Sequence, residues 1–363
     1  MTNAGLEGVV VADTQISDVD GERGRLVIAG SDVEQLAPAT AFEAAVRLVL
    51  AAGDGAPAGA TTTSTFAGAI TQAAIGAARA AAWEIVPRLG DALDHPDGMD
   101  ALRTALGHLR TSGANPGDAL AVIGAAPVFV AAWSRRRAGQ PPIAPDPGRG
   151  QAADYLYMTT GREPAADQVR ALDAYLVTVI DHAMSASTFT ARVIASTQSD
   201  LISAIVGAVG ALKGPLHGGA PGPVLDMLDA IGTPDHAEAW LLGELATGRR
   251  IMGMGHRVYR VRDPRAAVLE EAVRPLNSPR LSLARAVEQA AAKILRERKP
   301  DRALAANVEF YTAVLLDAVG LPREQFAATF AVSRIGGWCA HVIEQHRTGR
   351  LIRPASRYTG PMP

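Results

Sequence analysis

The sequence is poor in cysteine, in aromatic residues and in net charge, and each scarcity excludes a class of protein. The single cysteine, Cys339, excludes an intramolecular disulfide and fits a reducing compartment. A formal net charge of −2 at pH 7 argues against a general nucleic-acid-binding protein. Aromatic residues make up only 5% of the chain against 48% hydrophobic residues, so the core must consist mainly of Ala, Leu, Val and Ile.

Segments typical of exported or membrane proteins are also missing. Residues 1–7 show neither a positively charged stretch nor an apolar stretch of a secretory signal. The longest apolar run, 119–133, is shorter than the ~18 residues that a membrane span needs, and Pro127 interrupts it. This run predicts a pair of buried helices. We therefore expect a soluble, cytoplasmic protein without a membrane partner.

Hydrophobic periodicity predicts a mainly α fold with a small N-terminal β hairpin. Residues 9–11 and 26–28 carry a weak strand signal on either side of a turn-like stretch at 18–21. Long segments with period-2 alternation are absent from the sequence. Helical patterns cover residues 101–110, 169–183, 201–212, 223–231 and 284–298.

The chain of 363 residues is long enough for two domains with substantial cores. Residues 53–61 and 138–150 are rich in Gly, Pro and Asp and predict loops. Glycines at 214–219 and the Gly320-Leu321-Pro322 string are typical of hinges. We expect them to bracket an inserted domain. The predicted division is a large domain at 1–215 and 321–363, with a small domain at 216–320 between its two parts.

Two short strings are the most informative part of the sequence. One is KGPLHGG at positions 213–219, and the other is MGMGHRVYR at 252–260, closely followed by Asp263-Pro264-Arg265. Each string places a histidine among glycines, where backbone can approach a ligand closely. Arginine forms paired hydrogen bonds with carboxylates and phosphates. Histidines together with an arginine suit a small acid whose carbonyl group must be polarised.

Each candidate residue also has an ordinary interpretation when it is taken alone. His217 and His256 could be structural or solvated loop residues, and His182 could end a helix. Glu309 could interact with a helix dipole in a first turn, and Arg334 could pair with an acid. A zinc site built from the three histidines is conceivable, but their spacing matches no metal motif.

Taken in order along nearly the whole chain, these residues resemble the citrate synthase family. The resemblance rests on Asp181-His182 followed by ASTFTAR at 186–192, on GPLHGG at 214–219 and on GMGHRVY at 253–259. NVEFY at 307–311 and Arg353-Pro354 extend it toward the C-terminus. The resemblance implies a helical two-domain homodimer that condenses an acyl-CoA with a 2-oxo dicarboxylate and then hydrolyses the thioester. It implies coenzyme A as part of a substrate, no tightly bound cofactor and no metal.

The resemblance also assigns a role to individual residues. Glu309 would remove a proton from the acetyl methyl group, His217 would donate a hydrogen bond to the thioester carbonyl, and His256 would polarise the ketone of oxaloacetate. The residues implied to hold oxaloacetate are His182, Arg265, Arg334 and the partner subunit's Arg353. Those implied to bind coenzyme A are Ile251, Met252, Gly253, Met254, Gly255 and Arg260.

Three departures from the family pattern leave the function open between alternatives. Glu309 stands where most members have aspartate, Ser185 replaces an asparagine, and Ala220-Pro221 replaces Ala-Asn. The leading hypothesis is a citrate synthase that uses acetyl-CoA. A 2-methylcitrate synthase that uses propionyl-CoA is the nearest alternative, because one methylene in an apolar pocket changes binding by only ~1–3 kcal/mol. A catalytically weak paralogue that binds CoA or dicarboxylates is an alternative of another class.

Overall fold

The computed structural model describes residues 5–6, 8–57, 68–217, 221–298 and 304–362. It confirms the mainly α fold with a small N-terminal sheet. The sheet is antiparallel, in the order β1 (Ser17–Asp20), β2 (Arg25–Ile28) and β3 (Ser31–Asp32). In the hairpin Ser17 pairs with Ile28 and Asp20 pairs with Arg25.

The hairpin lies later in the chain than the sequence pattern predicted. Residues 9–11 form no strand, and Val9 and Val10 are 47% and 83% exposed, because no core reaches them. Residues 18–20, predicted as a turn, belong to β1 instead. The turn follows at 21–24, where Gly24 has φ +64°, a left-handed conformation that glycine adopts easily.

Outside the sheet, the regular secondary structure of the described residues is helical. Those bounded by described residues are α1 (Val33–Ala39), α2 (Phe42–Gly53), α3 (Gln72–Trp83), α4 (Gly98–Leu106), α5 (Asn115–Arg137), α6 (Gln151–Thr160), α7 (Ala166–Thr178), α8 (Ala186–Ala195), α9 (Leu201–Leu212), α10 (Pro221–Ile231), α11 (Ala237–Ala246), α12 (Pro264–Val273), α13 (Pro279–Arg298), α14 (Val308–Ala318) and α15 (Phe326–Thr348).

All five predicted helices exist, and local chemistry explains the shifted boundaries. The prediction for 201–212 is correct at both ends. Helix α4 begins three residues early because the Asp97 side chain accepts hydrogen bonds from the first backbone amides. Helix α13 begins at Pro279, since proline is well suited to a first helical position. Helix α7 stops at Thr178, where the chain turns into the loop that carries His182.

The apolar run 119–133 was predicted to form two helices, and this was wrong. It lies within the single helix α5, which continues through Pro127. Proline removes one backbone hydrogen bond, but nearly every neighbouring side chain is buried, and tertiary packing outweighs the local penalty. Helix α5 and the segment Arg323–Thr348 are long and apolar enough to cross a membrane. However, 83% and 94% of their most apolar windows are buried inside the protein, as in core helices.

Helix α15 is the central element of the core. It packs against α2, α5, α8 and α9, and almost all of its side chains are buried. At Gly337 a Cβ atom would lie only 2.3 Å from the carbonyl oxygen of Ile180, so glycine is required for this close approach. The segment that leads to His182 is thereby held against α15.

The loop predicted at 138–150 exists and joins α5 to α6. The predicted domain boundaries near residues 215 and 320 stay a prediction.

Candidate active site

The loop that carries His256 runs beside the segment that leads into α14. The Gly255 amide donates to the carbonyl oxygen of Ala305 at 2.7 Å, and Met254 forms an isolated bridge with Ala306. Gly253 and Gly255 have φ values of +72° and +88°, which strain any other residue. Two motifs that lie about fifty residues apart in the sequence therefore meet.

Asp263 joins the starts of α12 and α14. Its carboxylate caps α12 by accepting from the Arg265 amide at 3.0 Å, and it also accepts from the Val308 amide at 3.1 Å. The same carboxylate forms a buried ion pair with the Arg265 side chain, with Nη2 2.7 Å from Oδ2. The Asn307 side chain caps α14 and donates to the carbonyl oxygen of Gly255 at 2.9 Å. Helix capping thus sets the positions of Arg265 and of the first turn of α14.

The hydrogen bonds of His256 fix its tautomer. Its Nδ1 accepts from the Val258 and Tyr259 backbone amides at 3.0 and 3.1 Å, so a neutral ring carries its proton on Nε2. Burial, reinforced by the positive charge of Arg265, lowers the pKa of His256 to about 4. Arg265 Nη2 lies 3.3 Å from this Nε2, so two donors face each other. An acceptor oxygen between them would satisfy both.

His217 is neutral and carries its proton on the other nitrogen. Its Nε2 accepts from Ser187, whose Oγ lies 2.8 Å away and whose amide lies 3.3 Å away. The Trp338 indole donates to the same Oγ at 3.2 Å, which directs the hydroxyl proton of Ser187 toward His217. Burial lowers the pKa of His217 to about 4, and the charge of Arg334 acts in the same direction. The ring can therefore donate a hydrogen bond through Nδ1.

His182 lies between these groups, in the loop from α7 to α8. Its Nε2 is 3.1 Å from the Tyr259 hydroxyl, and its ring centroid is 5.7 Å from that of His256. Burial holds the pKa of His182 well below its usual range, and the charges of Arg265 and Arg334 lower it further. All three histidines are therefore neutral at pH 7.

Glu309 is a buried carboxylate in the first turn of α14. Its Oε2 has no hydrogen-bond partner within the described residues, while its backbone amide donates to the Asn307 side chain at 3.2 Å. Burial raises the pKa of Glu309, although Arg265 opposes the shift. A buried carboxylate with an unsatisfied oxygen is costly for stability, and such groups concentrate at functional sites.

Arg334 is a buried cation on α15, and few groups within the described residues contact its charge. Its Nε donates to the carbonyl oxygen of Val179 at 2.7 Å, and its guanidinium lies 4.8 Å from the centroid of the Phe330 ring. The described residues include no carboxylate within salt-bridge distance of it. Burial and the neighbouring Arg265 lower the pKa of Arg334 to about 10. The guanidinium is therefore available to an anionic ligand.

Comparison with known proteins identifies the family. The family model for the C-terminal domain of citrate synthase matches residues 5–355. The chain belongs to the citrate synthase family. The citrate synthase of Deinococcus radiodurans is 38% identical over an alignment of 366 positions that covers 98% of this chain and 95% of that protein. The 2-methylcitrate synthase of Mycobacterium tuberculosis is 36% identical over an alignment of 370 positions that covers 98% of this chain and 90% of that enzyme.

Another relative from Mycobacterium tuberculosis is 52% identical over 201 residues, and the chain spans only about half of it, 54% of its length. Among solved structures, Thermotoga maritima citrate synthase superposes with a TM-score of 0.84 at 34% identity, covering 100% of this chain and 97% of that one. Thermoplasma acidophilum citrate synthase, solved with carboxymethyl coenzyme A and oxaloacetate, has a TM-score of 0.85 at 27% identity and covers 99% and 96%.

The structure of this family member brings most of the predicted site residues together. His182 lies within electrostatic reach of both other histidines and of both arginines, and Glu309 lies near the same two arginines. Gly218 and Gly219, next to His217, lie outside the described residues. Among the described residues no group of three His, Cys, Asp or Glu side chains could hold a metal ion.

Two predicted ligand residues lie apart from this cluster. Arg353 is exposed and lines a cavity of about 780 Å³ near the chain termini. Arg260 is exposed at the edge of the 256–262 loop, where its amide donates to the Gly21 carbonyl oxygen at 2.9 Å. Residues 251–255 lie directly before this loop in the chain. Their role in binding coenzyme A stays a prediction.

Sequence reasoning missed several residues that complete the site. Asp263 could have been found, because Asp before Pro is a strong capping signal. Asn307 was predicted as the cap of a helix, and the structure confirms it. Ser187, Trp338 and Tyr259 could not have been found, since only the fold shows that they contact His217 and His182.

Proposed function

We propose that this protein is a citrate synthase, which condenses acetyl-CoA with oxaloacetate and water to give citrate and CoA. The observation that carries the proposal is a set of neutral histidines with defined tautomers around an unsatisfied carboxylate and two buried arginines. The family membership supports the same activity. Each component has a task in this reaction.

The arginines and His256 form the oxaloacetate end of the site. Arg265 and Arg334 supply positive charge for the two carboxylates of the substrate. The ketone oxygen fits between His256 Nε2 and Arg265 Nη2, the two donors that face each other. His182 adds a further polar contact. The relative solved with bound oxaloacetate supports this substrate.

Glu309 and His217 form the acetyl end. The methyl group of a thioester is far too weakly acidic for an ordinary carboxylate of pKa ~4.3, so the enol oxygen must be stabilised as the proton leaves. Glu309 takes that proton, and burial makes it a stronger base. His217 donates its Nδ1 proton in a hydrogen bond to the thioester oxygen. The enol carbon then bonds to the ketone carbon, whose oxygen receives a proton from His256, and water cleaves the thioester.

Coenzyme A enters as part of the substrate. Residues 251–255 offer backbone for the adenine. Arg260 is exposed, and its solvent-exposed ion pair with Glu22, at 3.9 Å, can be exchanged for a phosphate. We also expect the predicted small domain to close over the site once oxaloacetate is bound, because closure excludes water from the reacting atoms.

Release of free CoA tests the proposal directly. Purified protein is incubated with oxaloacetate and either acetyl-CoA or propionyl-CoA, and the thiol produced is measured. Faster turnover of acetyl-CoA supports a citrate synthase. Faster turnover of propionyl-CoA would favour a 2-methylcitrate synthase, and the similarity to the Mycobacterium tuberculosis enzyme of that name is the reason for testing it. Binding of both substrates without CoA release would favour the catalytically weak paralogue.

The exposed Arg353 supports a homodimer with shared active sites. Since Arg353 lies apart from the histidine cluster of its own chain, it is available to a neighbouring copy. Subunits carrying Arg353→Ala and subunits carrying His217→Ala are each expected to be inactive as homodimers. Mixing them should restore activity, because one site of each heterodimer is then intact. Failure of the mixture after demonstrated subunit exchange would refute shared sites.

A further inference from the structure

The loop that presents His182 has an unusual backbone conformation. Ala183 has φ +49°, a left-handed conformation that is unfavourable for residues with a Cβ atom. Its amide donates to Asp181 Oδ2 at 3.1 Å and to Ser17 Oγ at 2.9 Å. The Asp181 side chain therefore stabilises the turn immediately after His182 and orients that histidine through the backbone.

Asp181 is fully buried and is itself held by His341 on α15. His341 Nε2 lies 3.2 and 3.3 Å from the two carboxylate oxygens, and the Ser17 hydroxyl donates to one of them. Burial opposes the charge of Asp181, but His341, Arg334 and Ser17 together hold its pKa below the usual range. The carboxylate is thus anionic. Its Oδ2 accepts the hydrogen bonds, whereas Oδ1 has no hydrogen-bond partner within the described residues and is approached only by His341 Nε2.

Arg192 on α8 sets the tautomer of His341. Its Nε and Nη2 lie 3.0 and 2.7 Å from His341 Nδ1, and a guanidinium can only donate. His341 Nδ1 must therefore accept, which places the ring proton on Nε2, facing Asp181. Arg192 is anchored in turn by the Glu344 carboxylate and by Gln345 Oε1 at 3.0 Å.

Glu344 and Gln345, which anchor Arg192, also contact the segments near the N- and C-terminal ends of the described residues. Glu344 accepts from the Gln15 amide at 2.9 Å, and Gln345 donates to the carbonyl oxygen of Arg350 at 3.1 Å. Arg350 lies three residues before Arg353. The network therefore spans from the terminal segments, which line the 780 Å³ cavity, to the loop of His182.

We propose that the chain of contacts Arg192–His341–Asp181 is a positioning relay that holds His182 in the orientation needed to bind oxaloacetate. The inference rests on the proposed function, since it concerns how one of its substrate residues is held. None of the three relay residues needs to touch substrate. His341 is the central member, because its two ring nitrogens join the other two.

Two amide substitutions at one position separate positioning from packing. In His341→Gln the side-chain amide reaches about as far as Nε2 and can still donate to Asp181. In His341→Asn the amide keeps an acceptor near Nδ1 for Arg192 but is too short to reach Asp181. Thr329→Val is the matched control, because it removes a buried hydrogen bond of the same helix, at 2.9 Å from the Tyr155 hydroxyl, away from the relay.

The measurements are the dissociation constant of oxaloacetate, kcat, the KM of each substrate and the melting temperature. Because misplacement by ~1 Å can cost up to about 10²-fold, we expect His341→Asn to weaken oxaloacetate binding about tenfold or more. The KM of acetyl-CoA should change far less. His341→Gln should restore most of the oxaloacetate affinity, and Thr329→Val should lower the melting temperature without changing that affinity.

Equal oxaloacetate affinity in His341→Asn and His341→Gln would overturn the relay, as would an equal loss in Thr329→Val. If one His341 variant fails to fold, the other is compared with Thr329→Val and wild type by the same binding measurement. Inactive wild-type protein that does not bind oxaloacetate would instead refute the proposed function, so the two failures are distinguishable.

Discussion

Two fully buried arginines, Arg79 and Arg334, have opposite surroundings. Arg79 Nε lies 2.7 Å from the buried Asp154 carboxylate, and its Nη2 donates to the carbonyl oxygen of Arg149 at 2.6 Å. Arg334 has one backbone carbonyl and one aromatic ring, and no ion pair within the part of the chain that the structure describes. Both side chains are less than 2% exposed.

The difference shows which buried charges serve the fold and which serve a ligand. Arg79 connects α3 to the Pro-rich loop 138–150 and to α6, so its charge is compensated by the protein itself. Arg334 has no ion pair within the described residues, and Asp181 and Glu309 attract its charge only from a greater distance, so this buried charge is retained at a cost in stability. The same reasoning applies to the carboxylate of Glu309, which forms no ion pair within the described residues and whose Oε2 has no hydrogen-bond partner there.

The largest effect is expected on stability, from Arg79→Met. This change leaves Asp154 buried without its partner, and breaking such a pair costs ~3–5 kcal/mol. The free energy of unfolding in urea should fall by about that amount, whereas the KM of oxaloacetate in the folded protein should stay unchanged. A large loss of substrate affinity with little loss of stability would contradict the assignment of Arg79 to the fold and of Arg334 to a ligand.

The next largest effect is expected on turnover, from Glu309→Gln. Removing a general base costs at least ~10²-fold in kcat. Because the amide removes an unsatisfied buried charge, the stability of the protein should stay equal or rise. Steady-state CoA release and urea unfolding measure the two quantities. A near-normal kcat would show that Glu309 is only a partner of the helix dipole.

Glu309→Asp sharpens this test by changing only the length of the side chain. If the backbone is matched to glutamate, kcat should fall further than oxaloacetate affinity, because the carboxylate is drawn away from the methyl group. A rise in activity would instead indicate that the extra methylene of Glu309 holds its carboxylate in a poor position for removing the proton.

Arg334→Met is the direct counterpart of Arg79→Met. Hydrogen bonds to charged groups contribute ~1.5–3 kcal/mol, so oxaloacetate affinity should fall about tenfold to a hundredfold. Stability should change little, since a buried charge without an ion pair leaves the core while Asp181 loses only a longer-range attraction. Calorimetric titration with oxaloacetate and urea unfolding check the two expectations. Destabilisation as large as that of Arg79→Met would show that Arg334 has an internal partner after all.

The contrast between these arginines could not be predicted from the sequence. The sequence pattern predicted the helical class, five helices and the motif residues, because periodicity and glycine-rich strings are local signals. It could not place Ser187 against His217 or His341 against Asp181, since both contacts join residues that lie far apart in the chain. It also placed the hairpin too early and divided α5 at Pro127, because local propensity was outweighed by burial.

The smallest expected effect is a pH dependence of stability caused by the neutral histidines. Burial holds the pKa of His256 near 4, against ~6.5 in an unfolded chain. Above pH 6.5 the ring is neutral in both states and has no effect. As the pH falls from 6.5 toward 4, the unfolded chain binds a proton that the folded protein does not, so stability is lost.

His256→Asn isolates this contribution, because asparagine does not titrate and its carbonyl can still accept from the backbone amides of the loop. One ring contributes at most ~1.4 kcal/mol per pH unit, and its partial exposure reduces this figure. Between pH 7 and pH 5 wild type should therefore lose about 1 kcal/mol more stability than the variant. Glu309 titrates in the opposite sense, but it is present in both proteins and cancels in the difference. Equal losses in urea unfolding at the two pH values would show that His256 is already solvated in the free protein and is not held as a buried neutral ring.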